Sequence, residues 1–267
     1  MKRTLSLIAS AATLALALTA CGSSTGEGNS ASPGTNSLEQ VKESGVLTVG
    51  TEGTYRPFSY HEGDKLTGYD VEVIEAVGEK LGVKVDFKET QWDAVFTGLE
   101  AKRFDAIANQ VTINDKRKET LLFSQPYSVT TGVVVTTSGN TDIKSFDDLK
   151  GKRTAQSQTS NWFETAKELG ATVEPVEGWA QSLTLLKQGR VDATINDKLS
   201  YLDAQKQQPD ESIKIAAEAP EKNEAGVALR KDSAELRDAI DDALDELRAE
   251  GTLAKISEKY FGEDISK

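Results

Sequence analysis

The chain has 267 residues, with 31 Lys and Arg against 43 Asp and Glu, one His and one Cys, for a formal net charge of −12. That balance excludes nucleic acid as a partner and argues against docking on an anionic membrane through basic patches. A single Cys cannot close an intrachain disulfide. With no Cys/His cluster and no Asp-x-Asp-x-Asp-Gly loop, neither a metal nor another cofactor is expected.

The N-terminal stretch, residues 1–20, reads as an export signal. Lys2 and Arg3 form its charged start, and Leu5 to Ala20 is an apolar run too short to span a bilayer comfortably. Leu18-Thr19-Ala20-Cys21 resembles a bacterial lipobox. The resemblance implies that Cys21 is acylated, becomes the mature N-terminus and anchors an extracytoplasmic protein to the cell membrane. Removing Lys2 and Arg3 leaves 29 basic against 43 acidic residues, or −14. Residues 21–37 then form a tether rich in Gly, Ser, Thr and Asn. Folding is expected from Leu38 onward, over about 230 residues, enough for two lobes or one large α/β domain. No second apolar run approaches the length of a membrane span.

Short β-type runs alternate with helical patterns. Val46 to Gly50 reads as a strand. Asp70 to Leu81 puts Val73, Val77 and Leu81 on one helical face, with Gly82 as the stop. Val83 to Phe87 alternates as a strand, and Trp92 to Ala101 is helical with Val95, Phe96 and Leu99 inward. Further along come a strand from Arg153 to Gln156, a helix from Asn161 to Leu169 stopped by Gly170, a strand around Val173, a helix from Trp179 and a strand from Val191 to Ile195. A helix from Ser233 to about Glu250, a Gly251 stop and a last helix to Tyr260 close the chain. This βαβ rhythm predicts α/β lobes with parallel-rich sheets and helices on both faces.

One unit occurs twice. At a constant offset of 87, Trp92 matches Trp179, Thr97 matches Thr184, Leu99 matches Leu186, Arg103 matches Arg190, Asp105 matches Asp192, Ala106 matches Ala193 and Asn109 matches Asn196. Each copy ends a strand on Asn plus a polar residue, Asn109-Gln110 and Asn196-Asp197. Ligands of open α/β sheets bind beyond the carboxyl ends of strands. If the lobes face each other, both ends line one cleft.

The ordered motifs resemble the family 3 solute-binding proteins that serve polar amino-acid ABC importers. They are Gly50-Thr51-Glu52-Gly53-Thr54-Tyr55-Arg56-Pro57-Phe58, Gly68-Tyr69-Asp70-Val71, Trp92-Asp93, Asn109 to Arg117, Phe123-Ser124-Gln125-Pro126-Tyr127, Gly189-Arg190-Val191-Asp192-Ala193 with Asp197, Ala225 to Lys231, and Gly251 through Gly262. Asn109-Gln110-Val111-Thr112-Ile113 and Ala225 to Lys231 look most like the cystine-binding branch. The resemblance implies an α/β, two-lobed periplasmic-binding-protein-like fold of type II, with the ligand cleft between lobes joined by two hinge strands. Lobe 1 would comprise residues 38–131 plus 226–267, and lobe 2 residues 132–225.

A free amino acid presents a carboxylate and an ammonium, and both need paired charge or full hydrogen bonding once out of water. Read alone, Arg117 is a surface charge in Lys116-Arg117-Lys118. By the resemblance its planar fork takes the carboxylate, with Thr112 adding a hydroxyl. Thr159 and Ser160 precede a helix, where Ser and Thr serve as caps, and the same helix start offers N–H groups to an anion. The resemblance assigns both to the carboxylate and Asp197 to the ammonium; an Asp just past a strand is otherwise a common turn residue. Tyr55 and Trp92 would flank the ligand side chain, Glu52 would meet a second ammonium or face water, and Gln110 would shape the pocket wall. Trp179 is expected to pack in the core, and His61, in the turn His61-Glu62-Gly63-Asp64, to face solvent.

These readings describe a binding protein, not an enzyme: a monomer that captures cystine or a related amino acid and hands it to the transmembrane subunits of an ABC permease. Glutamine, histidine or arginine is the alternative ligand, and a partner-dependent amino-acid sensor the alternative role.

Overall fold

The computed structural model describes residues 37–267. The expected signal, Cys21 and all but the last residue of the tether lie outside the described residues. Ser37, counted to the tether, already opens the first helix and is buried.

The elements run α1 (Ser37–Ser44), β1 (Val46–Thr51), β2 (Thr54–Tyr55), β3 (Ser59–Glu62), β4 (Lys65–Thr67), α2 (Tyr69–Leu81), β5 (Lys84–Glu89), α3 (Trp92–Glu100), β6 (Ala106–Ile107), α4 (Asp115–Thr120), β7 (Leu121–Phe123) and β8 (Ser128–Thr137). There follow β9 (Arg153–Gln156), α5 (Asn161–Glu168), β10 (Thr172–Pro175), α6 (Trp179–Lys187), β11 (Thr194–Asp197), α7 (Lys198–Gln207), β12 (Ile213–Ala225), β13 (Ala228–Arg230), α8 (Ala234–Ala249) and α9 (Thr252–Phe261). Glycine sets several helix ends as the pattern predicts. Gly82 closes α2 at φ 70°, its N–H donating to Glu79 O at 3.1 Å and that of Val83 to Gly78 O at 2.9 Å.

The first lobe is built on a five-stranded sheet in the order β5-β1-β6-β13-β7. One face is covered by α1, α2, α8 and α9 through Val41, Val73, Val77, Leu236, Ile240, Leu244 and Leu253. The other is covered by α3, with Val95 and Leu99 against Phe104 and Ile107. The second lobe pairs β9 with β10 and sets β8 between β11 and β12. Its core is also two-sided: Val133 and Val135 pack toward Leu186 of α6, while Val134 packs with Ala166 of α5.

Among the named strands of the described residues, parallel ladders are β5-β1-β6 and β9-β10, with one further parallel bridge from Thr154 to Ala193, so the sheets are more mixed than the βαβ rhythm predicts. The strand expected over Val191 to Ile195 is displaced to β11 and pairs antiparallel with β8, and so does β12. The reason is topological. The chain leaves the first lobe along β8 and returns beside it along β12, with Ser128 opposite Ala225 and Thr137 opposite Ile213. β8 runs out from the first lobe and β12 runs back into it, so the two lie antiparallel although β9 to α7 come between them in the chain.

The 87-residue repeat is also a repeat of geometry. α3 and α6 have nine residues each and start on the matched tryptophans. Each ends in an elbow at positive φ, Lys102 at 58° and Gly189 at 68°. The N–H of Arg103 reaches Gly98 O at 2.9 Å, and that of Arg190 reaches Leu185 O at 3.0 Å. The matched aspartates then accept from the adjacent strands: Asp105 takes Thr48 N at 3.0 Å, and Asp192 takes Arg153 N at 2.8 Å.

Phe104 fixes how closely α3 approaches β1. A Cβ on Gly98 would stand 2.7 Å from its ring, and one on Gly50 would stand 2.6 Å from it. Helix propensity alone says Gly98→Ala should gain about 1 kcal/mol, whereas overpacking costs about 1–3 kcal/mol. Packing is expected to win, lowering the urea midpoint. Combining Gly98→Ala with Phe104→Leu should cost less than the sum of the two. A raised midpoint for the single variant would show that the ring yields freely.

Candidate functional site

Between the lobes lies a cavity of about 270 Å³. Its walls come from the carboxyl ends of strands, as in other open α/β folds: Glu52 after β1, Asn109 and Gln110 after β6, Gln156 at the end of β9, Asn196 and Asp197 at the end of β11. The starts of α3, α5 and α6 add Trp92, Ser160 with Asn161, and Trp179. Thr130 of β8 with Asn223 and Ala225 of β12 belong to the strands that join the lobes.

Seven of the nine residues expected to bind ligand line this cavity: Glu52, Tyr55, Trp92, Gln110, Thr112, Ser160 and Asp197. Arg117 and Thr159 do not. They meet each other across the cleft, Arg117 Nη2 donating to Thr159 O at 3.1 Å. Arg117 also touches two cavity residues, donating through Nη1 to Thr112 O at 2.9 Å and holding its guanidinium 5.6 Å from the Trp92 ring. Among the described residues no carboxylate pairs with it. Burial without compensation pushes its pKa down to about 10. Arg103 and Arg190 also lack an acidic partner, but both are exposed.

The acids show the converse imbalance. Asp197 is 6 % exposed and caps α7 by accepting Leu199 N at 2.8 Å. Burial raises its pKa to about 6, against the opposing pull of hydrogen bonds from Thr130 and the Leu199 N–H. Glu52 is raised to about 7 by burial, although Asn109 Nδ2 donates to its Oε2 at 2.7 Å. Neither has a basic partner among the described residues. Ser160 caps α5, accepting Trp162 N at 3.1 Å. The cap and the cavity-lining position are therefore compatible in both Ser160 and Asp197.

Gln110 lies in the cavity wall, and its side chain has structural partners there. Its backbone is left-handed, φ 51°, a region where residues other than Gly are uncommon. Its N–H and its Nε2 donate to the two oxygens of fully buried Asp70, at 2.7 and 2.6 Å, and its Oε1 accepts from Ser128 Oγ at 2.8 Å. Gln110 lines the cavity, yet its amide is committed to binding the loop of Thr112 and Arg117 to α2 and β8.

Sequence reasoning missed Asp93, Gln156 and Asn223, and it gave Asn196 a place on the cleft but no partner. Asp93 Oδ1 accepts from Thr159 N and Oγ1 at 2.9 and 2.8 Å, and Asn196 Oδ1 accepts from Tyr55 OH at 3.0 Å. Both bonds cross the cleft, as does the Arg56–Asp203 pair at 3.2 Å, so the partner lies on the other lobe and no local signal marks it. Asn196 did stand out as a repeat match to Asn109. Trp179 both packs on the core of the second lobe and lines the cavity. His61 is exposed, 3.0 Å from Glu89.

Residues 47–263 match the model of the bacterial extracellular solute-binding proteins, family 3. The chain belongs to that family. It is 54 % identical to the L-cystine-binding protein TcyA of Bacillus subtilis over 229 residues, 85 % of either chain. The L-cystine solute receptor of Neisseria gonorrhoeae, solved unliganded and open, is 51 % identical, covering 87 % of this chain and 99 % of that one, with a TM-score of 0.59. An ancestral arginine-binding protein bound to arginine is only 37 % identical, covering 82 % and 99 %, yet its TM-score is 0.76. Identity and superposition therefore do not rank these two structures in the same order. As a family 3 protein the chain is a binding protein, not an enzyme, and no helix among the described residues is long and apolar enough to cross a membrane.

The raised acids set a pH dependence. Glu52 holds its proton more tightly in the fold, at about 7, than at its ordinary value of 4.5. Below the ordinary value both states are protonated and nothing is contributed. Between about 4.5 and 7 the unfolded chain loses the proton first, so stability falls as pH rises. Half-buried Asp210, lowered to about 2 by Lys187, has the opposite sign, so the comparison with a variant isolates Glu52. Glu52→Gln should raise the ligand-free melting temperature at pH 8 and leave it little changed at pH 4. Equal differences at both pH values would refute the assignment.

Proposed function

We propose that this family 3 protein captures cystine, or a near relative of it, by lobe closure and delivers it to the transmembrane subunits of an ABC importer. In this reading it acts as a monomer outside the cytoplasm, held to the cell membrane by acylated Cys21. Its lobes are residues 38–131 with 226–267, and residues 132–225, the joints lying in β8 and β12.

The observation that carries the reading is a cation without an acid on one lobe and an acid without a cation on the other. Arg117 and Asp197 are both buried enough to shift their pKa values toward neutrality of charge, and neither is paired. A zwitterionic head supplies both missing partners at once. Arg117 receives the carboxylate with Thr112, Thr159 and the start of α5; Asp197 receives the ammonium; Tyr55 and Trp92 flank the side chain. Because the two anchors sit on opposite lobes, ligand contacts differ between open and closed forms, which is the requirement for a ligand to shift that equilibrium. Arginine is the second reading. Glu52 and Asp197 together would suit a ligand with one carboxylate and two cations, and a relative of this fold is known bound to arginine.

A thermal-shift panel of cystine, glutamine, histidine, arginine and diaminopimelate tests the reading. Ligand at a hundred times its Kd should add about 2.7 kcal/mol of stability. Arg117→Ala should abolish the shift for every ligand, because each shares the carboxylate contact. A shift that survives in Arg117→Ala would overturn the assignment.

A further inference from the structure

The cavity has a surplus of hydrogen-bond donors that one amino-acid head does not use. Four buried side-chain nitrogens of cavity-lining residues have no partner among the described residues: Trp92 Nε1, Gln156 Nε2, Trp179 Nε1 and Asn223 Nδ2. All four are N–H donors. Buried polar groups are nearly always satisfied, so a cluster of orphans of one kind points to an acceptor that arrives from outside.

Two of the four flank the start of α6. Gln156 is only 3 % exposed, and its carbonyl accepts Val176 N at 3.1 Å just ahead of that helix. Ser182, in the first turn, donates to Ala155 O at 3.1 Å and fixes the helix beside Gln156. The N-cap of α6 is Gly178, which brings no side chain to the free N–H groups of the first turn. Gln181 does not serve them either, because its Oε1 accepts from Glu177 N at 3.1 Å. The positive end of a nine-residue helix thus meets the cavity next to two orphan donors.

We infer that the start of α6, with Gln156 Nε2 and Trp179 Nε1, is a second carboxylate site, and that with Glu52 it takes the far head of a two-headed diamino-dicarboxylic acid. The inference rests on the amino-acid-binding reading above. Glu52 supplies the ammonium partner from the opposite lobe. Its Oε1, the oxygen not held by Asn109, lies 4.0 Å from where a Cβ on Gly178 would stand. Acid and donors are therefore neighbours, as the two charges on one amino-acid carbon are. Arginine would satisfy Glu52 but bring further donors to a wall that already has too many, whereas a second carboxylate brings acceptors.

Calorimetry on the full chain with cystine, S-methylcysteine and arginine separates the possibilities. S-methylcysteine keeps one head and the sulfur arm and lacks the second head. Wild type should bind cystine more than about tenfold tighter than S-methylcysteine. Trp179→Phe, which keeps the ring and removes the donor, and Gln156→Glu, which replaces a donor by a like charge, should each weaken cystine about tenfold. Both should leave S-methylcysteine within about twofold. Parallel losses for the two ligands, unchanged cystine binding in both variants, or a preference for arginine would overturn the second site while leaving amino-acid binding intact. Failure of wild type to bind any of the three would overturn both readings.

Discussion

Charge left unpaired inside a cleft is the constraint on which the rest of this structure turns. Arg117 has carbonyls where a half-buried guanidinium wants a carboxylate, and Asp197 has only hydrogen-bond donors where a buried carboxylate wants a cation. Removing charge from water is expensive unless it is paired and fully bonded. A protein selected only for stability would replace such groups with apolar ones. Their retention on opposite walls makes sense when a zwitterion completes both. The same logic explains why the imbalance is not repaired from within. Each group sits on a different lobe, and only something held between them meets both.

The fold's contribution is to hold those groups in place on two lobes joined by two strands. Two strands cross between the lobes, and Asp70, Gln110 and Ser128 tie the Arg117 loop to the first of them. The repeated helix–elbow–strand unit does the corresponding work on each side. A helix starting on a tryptophan at the cleft is followed by an aspartate that accepts a backbone N–H from the neighbouring strand. The strand ends reach the cavity at defined positions because that aspartate fixes where each strand begins.

Much of this was legible in the sequence, and the gaps have physical causes. α2, α3, α5, α6, α8 and α9 were visible because each buries one stripe and most stop at glycine. α4 was not, since Asp115–Thr120 buries nothing and shows no stripe. β12 was not, because it is mostly polar and its partner lies some eighty residues away; only the family resemblance implied hinge strands. The site divides along the same line. Residues whose chemistry is local, such as Thr112, Ser160 and Asp197, could be named from their own neighbourhood and motif. Asp93 and Gln156 could not, because their meaning comes from Thr159 and from α6, which only folding brings near.

Gln110 shows how such a residue is read once the structure is known. A left-handed backbone is where glycine is free and other residues carry strain of about 1–3 kcal/mol. Glutamine there must be compensated, and the compensation is visible: two bonds to Asp70 and one from Ser128. Glycine would relax the backbone but retain only the main-chain bond, leaving one oxygen of a fully buried carboxylate and the Ser128 hydroxyl without their partner. That carboxylate is already raised to about 7 by burial, with the Gln110 bonds opposing the rise. Strain at one backbone position is therefore exchanged for a bridge from α2 to β8. The bridge starts from the same loop that carries Arg117, so that loop and one of the two strands joining the lobes share one polar joint.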